Sequence, residues 1–480
     1  MSTSGEAITH APTPIDRSGA RRGATLALLA FAQLIIALDL NIVFVALPEI
    51  GAGLGFSNQT LQWVVSVYTV FTGGFLLFGG RAADLIGQRR MFIFALWLYA
   101  LSSLLGALAW APEIIIAARA VQGIGGAFLF PATLSLVNRL FEEGPERNRA
   151  LAVWGGAGAS GLTIGSLAGG FLTAAFGWPS VFYVNVLLAG AAIVAAFFVI
   201  PRDPRRHERR SFDLAGALTV TVGATLLVFT LVQGPDYGWL SPSILWSAGL
   251  AVLFLVAFGI IEAKSSDPLM PLRLFRNRSL VAGMTITFLY MATFGTLPYF
   301  LTVLFQNVQG YSALETGIAF LVPSIAIATG TQLGARLSTR LSNRSSLIGG
   351  MVIGAIGTAL MVPAMTPEGT YFALAPGLIV SGIGQGIVWT AMWIAAASGV
   401  RHEEQGVASG MASTTLNIGN AIGLALLIAV ANRHVEGLSG TTLQHATTAG
   451  MQSALWIAVA GVALSILVAL VSQRRTPKSI

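Results

Sequence analysis

The chain has 480 residues, of which 55% are hydrophobic and only 10% charged, with a mean hydropathy of +0.76. That balance excludes an ordinary soluble domain, and the absence of cysteine excludes disulfides, thiol catalysis and cysteine metal sites. The net charge of +7 is dispersed over many short segments, which suits loops beside anionic lipid and gives no nucleic-acid site.

In chain order, the first 23 residues are polar or small and carry Arg17, Arg21 and Arg22 without a short apolar stretch and cleavage site. The first apolar run is therefore expected to be retained as a helix. Runs able to cross a hydrocarbon core, about 20 residues each, lie near 24–47, 60–80, 91–110, 113–138, 150–175 and 181–200. After a basic segment, Pro201 to Arg210, two more follow near 213–233 and 243–262. The remaining six lie near 279–304, 315–335, 346–364, 372–397, 407–431 and 451–471.

The expected architecture is thus an all-α integral membrane protein with fourteen transmembrane helices. It divides into a cytoplasmic tail (1–23), a six-helix bundle (24–200), a basic linker with two extra central helices (201–278), a second six-helix bundle (279–472) and a second cytoplasmic tail (473–480). Charge supports the count: with the N-terminus inside, every Lys and Arg except Arg119 and Arg433 falls on the cytoplasmic side, where positive side chains accumulate. The two groups of six are related, because Gly79 to Arg90 has a weaker counterpart in Gly334 to Arg344, with Thr339 in place of Asp84 and Ser342 in place of Gly87. Duplication around a midplane site is typical of secondary transporters.

Within the spans, Asp39 is the only acid well inside an apolar run, since Glu113 and Glu315 sit at outer ends. An ionised Asp at a helix centre costs on the order of 2.5 to 3.5 kcal/mol on insertion scales, so it is protonated, paired or facing water, and each state suits a proton carrier. Arg119 is the only base within an apolar core, and Arg119, Gln122, Gly123 and Gly126 share one helical face that is expected to line a cavity. Arginine does not give up its proton, so its role is to tune a carboxylate or to bond carbonyls. In the fifth span Ala157, Gly161, Gly165 and Gly169 recur every four residues, a seam that serves helix packing or bundle sliding. Pro131, Pro298 and Pro323 are expected to kink their helices. Tyr68, Tyr290, Phe294, Gln385 and Asn417 are the better cavity candidates, whereas Trp63 and Trp393, near span ends, read as aromatic-belt residues.

The loop after the second span, Gly80-Arg81-Ala82-Ala83-Asp84-Leu85-Ile86-Gly87-Gln88-Arg89-Arg90, resembles the loop signature of the major facilitator superfamily, with Ala82 where leucine is usual. Leu38 to Pro48 resembles the first-helix signature of its fourteen-span drug:proton antiporter branch, a multidrug efflux permease-like group. Arg119 to Ala127 resembles the fourth-helix motif. Gly165-Ser166-Leu167-Ala168-Gly169-Gly170 is similar to the fifth-helix antiporter motif, with Ser166 where proline is usual and Ala168 where many members have glycine.

The resemblance implies a proton-coupled exporter of hydrophobic or amphipathic compounds such as drugs, antibiotics and dyes. It would work as a monomer in the cell membrane by alternating access. Asp39 and Arg119 would couple protons, Gln122 would line the substrate cavity with the five candidates above, and Gly80, Asp84, Gly87, Arg89 and Arg90 would form a cytoplasmic latch. Gly161, Gly165, Ser166, Gly169 and Gly170 would form the antiporter-like packing motif. A proton-coupled importer of a small metabolite and a lipid-handling membrane protein remain open at this point. The chain has no phosphate-binding loop, no histidine pair at metal spacing and only five histidines, so neither an enzyme, a cofactor nor a metal is expected.

Overall fold

The computed structural model describes residues 17–472 apart from 57, 62, 204–212, 266–267, 269 and 434–437. The expected tails before 17 and after 472, and most of the basic linker, lie outside the described residues.

Fourteen helices among the described residues are long and apolar enough to span a membrane. They are α1 (Arg17–Leu54), α2 (Trp63–Ile86), α3 (Gln88–Ala107), α4 (Pro112–Leu140), α5 (Pro145–Phe176), α6 (Ser180–Val199), α7 (Leu214–Tyr237), α8 (Pro242–Lys264), α9 (Arg278–Val308), α10 (Leu314–Arg340), α11 (Asn343–Ala364), α12 (Tyr371–Ala397), α13 (Gln405–Ala431) and α14 (Gly440–Ser472). In lipid every backbone amide must be bonded within its own segment, which is why each apolar run closes into a helix. The described part of α1 begins at Arg17, before the apolar run, and ends beyond it at Leu54, carrying Pro48 inside it.

Two proline-bearing helices are broken. α9 passes through a 3-10 turn at Phe294–Thr296 ahead of Pro298 and ends in a π-turn at Val303–Val308. α10 is interrupted at Phe320, three residues before Pro323, a position whose ring and missing N–H disrupt the preceding turn. α4 runs unbroken through Pro131.

α1 packs along α5 and α6, α2 along α4, and α3 along α4 and α6. The last six helices repeat the plan, with α9 along α13 and α14, and α11 along α12 and α14. α7 pairs with α8 and lies against α2. The protein is therefore two six-helix bundles with a two-helix insert. The halves meet where α5 runs beside α10 and α2 beside α13.

Candidate functional site

The glycines of α5 fix the position of α1. A Cβ on Gly161 would sit 2.8 Å from the Leu34 carbonyl oxygen, one on Gly165 2.5 Å from that of Leu38, and one on Gly169 3.0 Å from that of Ile42. The seam thus holds two helices of one half together rather than lying between the halves. Ser166 faces Gly317 of α10, and Gly170 faces open space.

This close approach buries Asp39, on α1, completely. Its Oδ2 accepts from Arg119 Nη1 at 2.6 Å, and its Oδ1 accepts from Gln122 Nε2 at 2.9 Å and from Asn185 Nδ2 at 2.6 Å. Arg119 is equally buried, donating through Nε to the Val64 carbonyl at 3.0 Å and through Nη1 to Gln122 Oε1 at 2.7 Å. Its guanidinium lies 4.3 Å from the centre of the Tyr68 ring, close enough for a cation–π contact. Gly123 admits this arrangement, since a Cβ there would sit 2.6 Å from the Tyr68 carbonyl oxygen. Gln122 Nε2 also donates to Ser103 Oγ at 2.9 Å.

The constellation draws on α1, α2, α3, α4 and α6 and is sealed inside the first half. Gln122 and Tyr68, expected on a cavity wall, lie within it, because the polar face of α4 turns toward the interior of its own bundle. Sequence reasoning missed Asn185 and Ser103. The signal for Asn185 was its place as the only amide in an otherwise apolar sixth span.

The latch residues gather at the end of the bundle that carries the α2–α3 turn. Asp84 Oδ1 accepts from Gly406 N at 3.0 Å and Oδ2 from Val407 N at 2.9 Å, capping α13 of the other half. Gly80 has no room for a Cβ, which would come within 3.1 Å of the Gly410 Cα. Gly87 adopts φ +111° in the turn, a conformation open to glycine. Asp203, unrecognised among the arginines of the linker, accepts from the backbone N–H of Arg89 at 3.1 Å and of Arg90 at 3.2 Å, and pairs with Arg139 at 3.3 Å. Arg89 donates to the Phe197 carbonyl at 2.9 Å. In the related turn of the second half, Thr339 Oγ1 accepts from Asn148 Nδ2 at 3.1 Å.

An aromatic cluster joins the halves nearer their middle. Trp154 of α5 meets Trp393 edge-on at 5.8 Å and Trp389 at 6.5 Å, both on α12, and Phe130 of α4 lies 5.8 Å from Trp393. Tyr290 of α9 lies 5.6 Å from both Trp389 and Phe294. Trp393 is therefore a buried inter-half residue and not part of an aromatic belt, because α12 presents that face to α5 rather than to lipid. Trp63 stacks on Phe229 of α7. Gln385 donates to Ser381 at 3.0 Å and Asn417 to the Ser413 carbonyl at 2.9 Å, each within its own helix, and neither joins the cluster. No group of His, Asp and Glu suited to a metal occurs among the described residues.

Comparison with known proteins agrees with this layout. The Major Facilitator Superfamily model matches residues 29–424. The chain is 35% identical over 461 residues to the cephamycin export protein CmcT of Amycolatopsis lactamdurans, covering 95% of this chain and 94% of that protein. It is 34% identical over 410 residues to the puromycin resistance protein pur8 of Streptomyces alboniger, covering 85% of this chain and 81% of that one. Its fold is similar to that of the proton:xylose symporter XylE, with a TM-score of 0.67 at 12% identity over 94% of this chain and 95% of the symporter.

Proposed function

The chain belongs to the Major Facilitator Superfamily, and from that premise we propose that it is a secondary transporter exporting hydrophobic or amphipathic small molecules, antibiotics among them, in exchange for protons. The names of its relatives, a cephamycin exporter and a puromycin resistance protein, favour this substrate class. One observation carries the coupling: a carboxylate sealed in the first half and held by side-chain donors that can be rearranged.

The α2–α3 turn is assigned to the cytoplasm by the distribution of Lys and Arg. With the Asp84 cap and the aromatic cluster joining the halves at and above that end, this is the state closed to the cytoplasm. Ionised Asp39 takes three donated hydrogen bonds. Once protonated it must itself donate, and Asn185 Oδ1, buried without a partner among the described residues, becomes an acceptor when the amide turns over. Protonation from outside would loosen Arg119 from Asp39 and change how α1 and α4 meet, which favours rocking of the halves. Release of the proton to the cytoplasm would restore the pair. One proton moved through 100 mV gains about 2.3 kcal/mol, enough to support roughly fiftyfold accumulation.

The reading is tested in inverted membrane vesicles energised acid inside, challenged with puromycin, cephamycin and lipophilic dyes. Export by exchange predicts that adding a substrate outside raises the lumenal pH. Substrate accumulation without proton exit would contradict it.

A further inference from the structure

The two seams between the halves differ on their membrane-facing flanks. At one, where α2 meets α13, the insert lies over α2: Val228 of α7 packs against Gly73 and Thr225 against Gly74. At the other, where α5 meets α10, a cavity of about 590 Å³ opens, lined by those two helices alone. That volume lies within the usual range for small-molecule sites, about 300 to 1,000 Å³.

The walls of this groove are mixed. Ile164 and Ile325 are exposed at its mouth, yet Ser160, Thr163, Ser324, Thr329 and Gln332 also line it. The hydroxyls of Thr163 and Ser324 bond each other across the seam. The Gln332 side chain is exposed and has no hydrogen-bond partner among the described residues. Ser160 and Thr329 bond carbonyls of their own helices, so the polar group left unsatisfied is the Gln332 amide. Such a group facing hydrocarbon costs free energy, and it fits an occupant that brings its own polar group.

The groove ends against the packed interior. Its floor at Gly156 abuts Thr331, and a Cβ on the adjacent Gly155 would lie 2.6 Å from Trp389 Nε1, a buried indole nitrogen without a partner among the described residues. These close contacts shut the inner wall of the groove beside the aromatic cluster.

We propose that the α5–α10 groove is a bilayer-facing binding site for a membrane-dissolved amphipathic molecule with a hydrogen-bonding head. The insert, which covers the other seam, makes the site one-sided. The assignment rests on the export reading for the fate of the bound molecule.

Because the chain has no cysteine, single thiols report on the site directly. Ser324→Cys and, as a control on the exposed face of α8, Leu253→Cys are labelled in inverted vesicles with a bilayer-soluble maleimide, with and without the dye Hoechst 33342. The site predicts that the dye slows labelling of Ser324→Cys about fivefold or more, as for a mostly occupied site, and leaves Leu253→Cys unchanged. Unchanged labelling at both, or equal slowing at both, overturns the site. Dye-driven proton movement measured on the same vesicles separates the two readings. Protection without proton movement keeps the groove and counts against export, whereas proton movement without selective protection keeps export and removes the groove.

Discussion

Asp84 at the end of α2 caps the first turn of α13 across the boundary between the halves, its Oδ1 lying 3.0 Å from Gly406 N. The equivalent contact of the second half, Thr339 with Asn148, uses a neutral hydroxyl. The two contacts therefore occupy related places but differ in strength. A carboxylate bonded to helix N-terminal amides gains from its charge and from the helix dipole, about 1.5 to 3 kcal/mol for such a hydrogen bond. Asp84→Ala is expected to shift the protein toward the state open to the cytoplasm and to slow transport about tenfold. Distances between spin labels placed on Glu143 and Ser345 would show the longer separation gaining population; an unchanged distribution would contradict the latch.

The Asp39–Arg119 pair has no access to water, so loss of one partner strands the other. Arginine cannot neutralise itself by releasing a proton, whereas aspartate can take one up. Asp39→Asn alone is expected to destabilise the protein by about 3 kcal/mol, more than Arg119→Gln alone, and the double variant by less than the sum. Thermal unfolding of the four proteins in one detergent checks the order.

Asn185 is expected to act on transport through Asp39. Asn185→Leu removes both the donor to the ionised carboxylate and the acceptor for the protonated one, so substrate-driven proton flux should fall about tenfold or more. Asn185→Gln, which keeps both groups, should recover part of it. Equal loss in the two variants would mean that Asn185 serves packing alone.

The α5 seam makes a steric prediction. Gly165→Ala improves helix propensity by about 1 kcal/mol, but its Cβ meets the Leu38 carbonyl and drives α1 away, a cost of about 1 to 3 kcal/mol. Gly170→Ala meets nothing and should be neutral or stabilising. Unfolding temperatures of the pair in the same detergent decide whether the seam is as tight as described.

Much of the fold was legible because a membrane span announces itself by length and hydropathy. Fourteen apolar runs became fourteen helices, and Pro298 and Pro323 marked the two broken ones. Rotation about the helix axis was not legible. The face of α4 bearing Arg119 and Gln122 turned into its own bundle, and the spacing of the α5 glycines, open to packing or sliding, did not tell that their partner is α1. Trp393 sits near a helix end, yet inter-half packing rather than depth decided its surroundings. Pairings over long sequence separations were equally hidden: nothing local tells that Asn185 reaches Asp39, or that Asp203, set among arginines, caps α3.

The most direct test of proton coupling compares wild type with Asp39→Asn in inverted vesicles energised acid inside, measuring substrate-triggered proton exit alongside substrate binding. The account predicts that the variant still binds substrate, with its unfolding temperature rising on addition, while proton exit is abolished. Proton exit equal to wild type in a folded Asp39→Asn protein would remove Asp39 from the coupling path and contradict the account.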